Sequence, residues 1–337
     1  MLAPVIDRRR ALLSLAGVVL ASAAPRGAFA AGATKRVGVI GVAGGGTYTE
    51  WKERFPKEFA ALGWTEGRNL ELVWFDVPSA DTAAELRQLG RKRAAEMAAA
   101  GLDCLVANGE PHARMLLEAT RTVPIVADVP DPVANGLVKN LARPGGNMTG
   151  LHGGQEEIAI KTVELLRRLV PGTSCIAWIG PENFARGAVS LENAARSVGL
   201  RYRTIPVRSD DEREVARMRE EMATLRRQGC IAGVVMPVST PMFEAVGAAA
   251  IEHRLALASY GRPEGYLLSY SAHRTPEERS ERRVPAIVSR ILRGEKPSEI
   301  PWEGPNRYLL AINLKTAAKL GIKVPADVLT LADQIVR

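Results

Sequence analysis

Histidine, cysteine and aromatic residues are all scarce in this chain, and each scarcity removes a class of chemistry. The 337 residues include four histidines, three cysteines and 5% aromatics. His112, His152, His253 and His273 are scattered, none beside a cysteine, and no GxSxG nucleophile elbow occurs, so acyl-transfer catalysis finds no support. Cys104, Cys175 and Cys230 form no CxxC and no Cys/His ligand spacing, so neither a metal nor a cofactor is expected. Beyond the first thirty residues no apolar run approaches the roughly eighteen residues of a membrane span. A strong charge excess is missing too. The formal charge is +8, and setting aside Arg8, Arg9, Arg10 and Arg26 against Asp7 leaves +5 for the remainder. The basic clusters lie among acidic residues on helical patterns and read as solvated faces, so no nucleic-acid partner is expected.

What is present begins with a leader. Residues 1–30 combine Arg8-Arg9-Arg10, an apolar stretch from Ala11 to Ala24 and Ala28-Phe29-Ala30, the order of an export signal peptide. The paired arginines directly before Ala11-Leu12-Leu13 resemble a twin-arginine signal, with an ordinary Sec signal or an uncleaved N-terminal anchor as the alternatives, and a periplasmic protein is expected. The working protein is expected to begin near Ala31.

From Lys35 onward, short runs rich in Val, Ile and Leu (RVGVIGV, LELVWFDV, CLVAN, PIVADV) alternate with longer amphipathic segments. Near-continuous apolar strands separated by helices predict a parallel sheet covered on both faces. A glycine-rich stretch, Leu141 to Gly154 (LARPGGNMTGLHGG), follows, and then the pattern restarts with a helix over 156–170 and strands at CIAWIG, RYRTIPV, IAGVVM and LALASY. The fold class is α/β, with two doubly wound Rossmann-like lobes joined by a three-segment hinge near Met148 to Gly154, Ser269 to Arg274 and Glu303 to Tyr308. The expected division is 1–30 export signal, 35–148 plus 272–303 lobe 1, and 149–271 plus 304–337 lobe 2. The glycine stretch lacks a phosphate-loop lysine and is read as a hinge, with Gly146→Val expected to alter ligand affinity. The cysteines each open an apolar run. Cys175 and Cys230 start strands that are commonly neighbours, and reduced, buried thiols are expected.

Five segments carry a more specific likeness: RRRALLSLAG at the leader, ALGWTEGRNLELVW, the block ATRTVPIVADVPDPVANGLVKNLARPGGNMTGL, ILRGEKPSEIP, and AINLKTAAKLGIKVPADVLTLAD near the end. Together they resemble the bacterial ABC-transporter substrate-binding proteins of the tryptophan- and tyrosine-type subfamily. The resemblance implies the periplasmic-binding-protein type I fold, a small-molecule solute held between the lobes, an ABC permease in the inner membrane as partner, and a monomer that is not an enzyme. An exported enzyme using the same cleft is the alternative. A sugar-repressor-like regulator needs a helix-turn-helix ahead of the first strand, where the leader lies.

Ligands of doubly wound sheets sit beyond the carboxyl ends of the strands. That rule selects Gly45, Thr47 and Tyr48 in GVAGGGTYTEW, Asn108, Gly109 and Glu110 in ANGEPHARM, and Asp128 in ADVPDPVANG. In the second lobe it selects Asn183, Phe184 and Arg186, then Ser239 and Thr240, then Tyr260 and Arg262. Glu110 stands where the resemblance implies a small hydroxyl residue, and an acid there either favours an amine-bearing ligand or acts only on the helix dipole. Ser239 stands where amino-acid binders of the family carry an acid. Asp131, before Pro132, reads as a turn and cap residue. Phe184, Tyr260 and Tyr266 offer rings for stacking or for lobe packing.

Overall fold

The first lobe grows from β1 (Lys35–Val42), whose Val37 and Val39 face one side of a sheet and Ile40 the other, all fully buried. The structure, a computed structural model, describes residues 33–337 except 81, 182–187, 210 and 237–238. The leader and the candidate residues Asn183, Phe184 and Arg186 lie outside the described residues. β1 pairs in parallel with β2 (Leu70–Val77) and β3 (Cys104–Asn108), and β4 (Ile125–Val129) and β5 (Met148–His152) follow, giving the order β2-β1-β3-β4-β5. Helices α1 (Gly46–Ala61), α2 (Ala83–Ala99) and α3 (Glu110–Ala119) connect the strands. α1 buries Tyr48, Trp51, Phe55 and Phe59 as one stripe at helical spacing.

The second lobe repeats the plan: α4 (Gln155–Leu169), β6 (Cys175–Pro181), α5 (Val189–Ser197), β7 (Arg201–Val207), α6 (Glu212–Arg227), β8 (Ala232–Val235), α7 (Thr240–Glu252), β9 (Ala256–Ser259) and β10 (Leu268–His273). The chain then returns through α8 (Ser280–Leu292) and ends with β11 (Arg307–Asn313), α9 (Leu314–Leu320), α10 (Ala326–Thr330) and β12 (Gln334–Val336). The seven-stranded order is β12-β11-β10-β9-β8-β6-β7, with only β10 and β11 antiparallel. From β7 to β10, this is the same winding as the first sheet. Each sheet therefore has a switch point, between β1 and β3 in one and between β6 and β8 in the other, where connections leave to opposite faces and open a crevice.

α8 packs on α1 and fills the first lobe's core with Val284, Ile287, Val288 and Ile291. Trp64 Nε1 donates to Ser289 Oγ at 2.9 Å, fastening that return. Sheet membership thus changes between His152 and Gln155, between His273 and Ser280, and between Glu303 and Arg307. Glu303 still bridges to Leu151. The expected lobe boundary after 148 falls at the start of β5, and the whole of that strand pairs with β4.

Five of the fourteen residues of the glycine stretch are therefore strand. Gly150, at φ 155°, lies so close to β4 that a Cβ would stand 1.8 Å from the Ala127 carbonyl oxygen, and only glycine fits. Gly146 precedes the strand and is exposed. A Cβ at Gly146 would meet no atom within 4 Å, so the hinge effect expected of Gly146→Val has no physical basis. The crossing is made by Gly153 and Gly154. The cysteine expectation is also corrected. Cys175 and Cys230 form a disulfide, their Cα atoms 4.6 Å apart, because β6 and β8 are neighbours and both side chains lie in one core layer. Cys104 alone is a free thiol among the described residues, and burial pushes its pKa up.

Candidate functional site

The turn after β1 is set by Gly44, at φ 77°, and by the Gly45 N–H, which donates to the Val42 carbonyl at 3.0 Å. Gly45 is the α1 N-cap and Thr47 is exposed in the first turn, so both stand at the carboxyl edge. Tyr48 does not. Its ring is 1% exposed, and its hydroxyl lies 2.8 Å from Asp76 Oδ1 and 3.3 Å from the Val39 carbonyl. Helical spacing turns Tyr48 inward onto the stripe it shares with Trp51, which corrects its expected role as a cleft contact. Burial, then the Asp76 bond, pushes the phenol pKa up. Tyr48→Phe is expected to cost about 1–2 kcal/mol in urea denaturation, with Lys52 still pairing Asp76, and to leave solute affinity unchanged. Unchanged stability with lost affinity would return Tyr48 to the ligand site.

The second edge loop follows β3. Gly109, at φ 86°, is the N-cap of α3, and its N–H donates to the Asp128 carbonyl at 3.0 Å, which ties this loop to the next strand. Asn108 spends its carbonyl on His112 Nδ1, 2.6 Å away, and burial holds the pKa of that histidine down. Glu110 is 15% exposed and accepts from Arg114 Nε at 2.7 Å, while Arg114 Nη2 donates to the Asn135 carbonyl. The expected amine-binding acid thus already has a guanidinium partner one helical turn away.

Asp128, on β4, is the carboxylate at the same edge. Half-buried, it faces Arg274 from the second crossing and the first turn of α8, where Ser280 lies within hydrogen-bonding reach and Glu281 adds like charge. Ser280 Oγ accepts from Trp51 Nε1 at 3.1 Å, which leaves the serine proton for the carboxylate. Burial raises the Asp128 pKa, Arg274 and Ser280 oppose that rise, and Glu281 adds to it. Arg274 Nη2 also donates to the His152 carbonyl at 2.5 Å. Burial, reinforced by Arg274, lowers the His152 pKa against Glu157 and Asp131. Arg274, Ser280 and His152 escape the sequence-based selection. The one signal for them is an arginine ending a polar extended passage just before a helix.

On the second lobe Ser239 caps α7, its hydroxyl accepting from Met242 N–H at 3.4 Å, and Thr240 is exposed beside it. Tyr260 is half-buried at the end of β9 and packs against the core, and burial raises its pKa. Arg262 lies over the Phe243 ring at 5.2 Å, its carbonyl accepting from Ser259. Tyr266 is lobe packing, its hydroxyl bonded to the Phe243 carbonyl at 2.6 Å. Two pockets lie away from both edges. One of about 250 Å³ sits at the amino end of β5 near Arg121 and Asn147, and one of about 430 Å³ runs along β7 between α5 and α6. Among the described residues no group of three His, Cys, Asp or Glu side chains is arranged to hold a metal.

Residues 61–225 match the family described as ABC transporter substrate binding protein. That span is 165 of the chain's 337 residues. The matched span runs from the end of α1 into α6, and so includes the edge loops of Asn108 and Asp128. A tyrosine-binding protein of Clostridioides difficile (strain R20291) is 31% identical over 134 residues, covering 38% of this chain and 35% of the relative's own length. An ABC domain from Streptococcus pneumonia, solved in complex with L-Trp, superposes with a TM-score of 0.63 at 21% identity over 90% of this chain and 100% of that one. A conserved domain protein from Vibrio cholerae gives 0.64 at 23% identity over 90% and 99%. The chain therefore has the two-lobed type I periplasmic binding fold. No helix among its described residues is long and apolar enough to cross a membrane.

Proposed function

We propose that this chain is an exported receptor that captures a small, planar, amine-bearing solute between its lobes and presents the closed form to an ABC permease. The lobes are 34–152 with 280–303 and 155–273 with 307–337, and the three crossings act as the hinge. Asp128 carries the reading. A carboxylate kept half-buried at the cost of a raised pKa, on the strand edge where ligands of this fold class sit, is suited to an ammonium or amidinium group. Thr47 offers a hydroxyl and Asn108 a side-chain amide from the first lobe, at the edge shaped by Gly45 and Gly109; Ser239 and Thr240 offer hydroxyls and Arg262 a guanidinium from the second, and Tyr260 supplies a ring face. The relative named for tyrosine and the neighbour holding L-Trp bind solutes with both an ammonium and a ring. A ligand touching both lobes binds the closed arrangement better and shifts the population towards it. The leader's paired arginines support the twin-arginine route, and the buried disulfide suits an oxidising compartment.

The test combines binding with stability. Because burial raises the Asp128 pKa, the charged form weakens the fold, a cost absent below the ordinary carboxylate range and incurred as pH rises through the folded pKa. Asp128→Asn is therefore expected to raise Tm at pH 7, to lose that advantage below about pH 4, and to weaken binding of any amine-bearing solute that a thermal-shift library reveals by about tenfold or more. Retained affinity removes Asp128 from the site. Turnover of a compound without tight binding of any solute favours the enzyme instead.

A further inference from the structure

Asp131 and Ser190 come from opposite lobes and meet. Asp131 lies in the loop after β4, and Ser190 in the first turn of α5. The Ser190 hydroxyl donates to Asp131 Oδ2 at 2.6 Å, the length of a charge-assisted bond, and each residue keeps only 7% of its surface exposed. The other carboxylate oxygen accepts from the Ala134 N–H at 2.9 Å, and the Asp131 carbonyl accepts from the Asn135 side-chain amide at 2.7 Å. The carboxylate is thus oriented by its own loop and offers one oxygen to the other lobe. That loop is tied to the first crossing, since the Gly153 N–H bonds the carbonyls of Val129 and Pro130 at 3.1 and 2.9 Å. The turn role expected of Asp131 accounts for the bond to Ala134 but not for Ser190. Nor does α5 use Ser190 as its cap: the N-cap position is Ala188. A buried hydroxyl needs a partner, and this one finds it across the cleft.

We infer that Asp131 and Ser190 form a latch, two positioning residues that set how much of the protein is closed before any solute arrives. The effect on affinity rests on the receptor reading; the lobe population belongs to the chain itself. Opening exchanges one bond to an ion for hydration of both groups, so the latch shifts the balance by about tenfold, the lower end for a hydrogen bond to a charged group. The apparent affinity of a solute that binds only the closed form is scaled by the closed fraction.

The experiment places nitroxide labels at Glu53→Cys on α1 and Glu220→Cys on α6, both exposed, and reads the distance distribution by electron double resonance in ligand-free protein. Ser190→Ala is expected to move about tenfold more of the population to the longer distance. Ser190→Thr, which keeps the hydroxyl, restores the parent distribution, and Asp131→Asn, whose amide still donates to Ser190 Oγ, lies between. A folded Ser190→Ala protein with the parent distribution overturns the latch, as does a Ser190→Thr protein that behaves like Ser190→Ala. A shifted distribution with no solute found by library screening leaves the latch standing and removes the receptor reading. A solute bound equally by parent and Ser190→Ala proteins, with unchanged distances, does the reverse.

Discussion

Gly154→Val is expected to lower stability by about 3 kcal/mol and to disturb closure, whereas the same change at Gly146 leaves both close to the parent. Gly154 starts α4 at φ 67°, in the left-handed region that costs an ordinary L-residue about 1–2 kcal/mol and a β-branched one more. A Cβ there stands 2.3 Å from the Tyr308 hydroxyl, on β11, and 3.0 Å from Pro305 Cγ, on the third crossing. Tyr308 stacks on Tyr270 at 5.7 Å, so displacing it pushes against the second lobe's sheet. Two of the three proposed hinge segments are thereby strained at once. Urea denaturation reads the first effect, and titration of a bound solute the second. Equal behaviour of Gly146→Val and Gly154→Val in both measurements contradicts this account of the hinge.

Removing the disulfide is the other large change. Cys175 and Cys230 are 55 residues apart, and closing a loop of that length in the unfolded chain corresponds to about 4 kcal/mol in the chain-entropy treatment. Cys175→Ala with Cys230→Ala is expected to destabilise the second lobe by that order, with the first lobe's core, which includes Cys104, unaffected. Both sulfurs are buried, so reductant should act only as the lobe opens. Alkylation of the urea-unfolded, unreduced protein should add one label, at Cys104. Three labels show that the thiols are free and remove the stabilisation.

The alternation of apolar runs and amphipathic segments is enough to read two α/β lobes and the strands β1 to β4 and β6 to β9, because those signals are local. β5 reads as hinge because it is short, polar and interrupted by Gly150. It becomes a strand by pairing along its whole length with β4, while Thr149 Oγ1 bonds the Ile300 carbonyl at 2.8 Å and Glu303 bridges to Leu151, about 150 positions onward. Within the candidate site, Asn108, Gly109 and Asp128 follow from the rule that ligands sit at the carboxyl ends of strands. Tyr48 obeys that rule by position and breaks it by helical phase, which places its ring on the buried stripe of α1. Glu110 is legible as an acid, and the arginine four residues later already offers it a partner.

Sequence alone determined the class of the fold, since the signals for its strands and helices depend on residues within one or two turns of one another. Tertiary structure alone decided that Cys175 meets Cys230, that Asp131 meets Ser190, and that Arg274 and Ser280 join Asp128. Those partners lie 55 to 152 positions apart and are brought together by sheet order and chain crossings, which no local pattern of residues encodes.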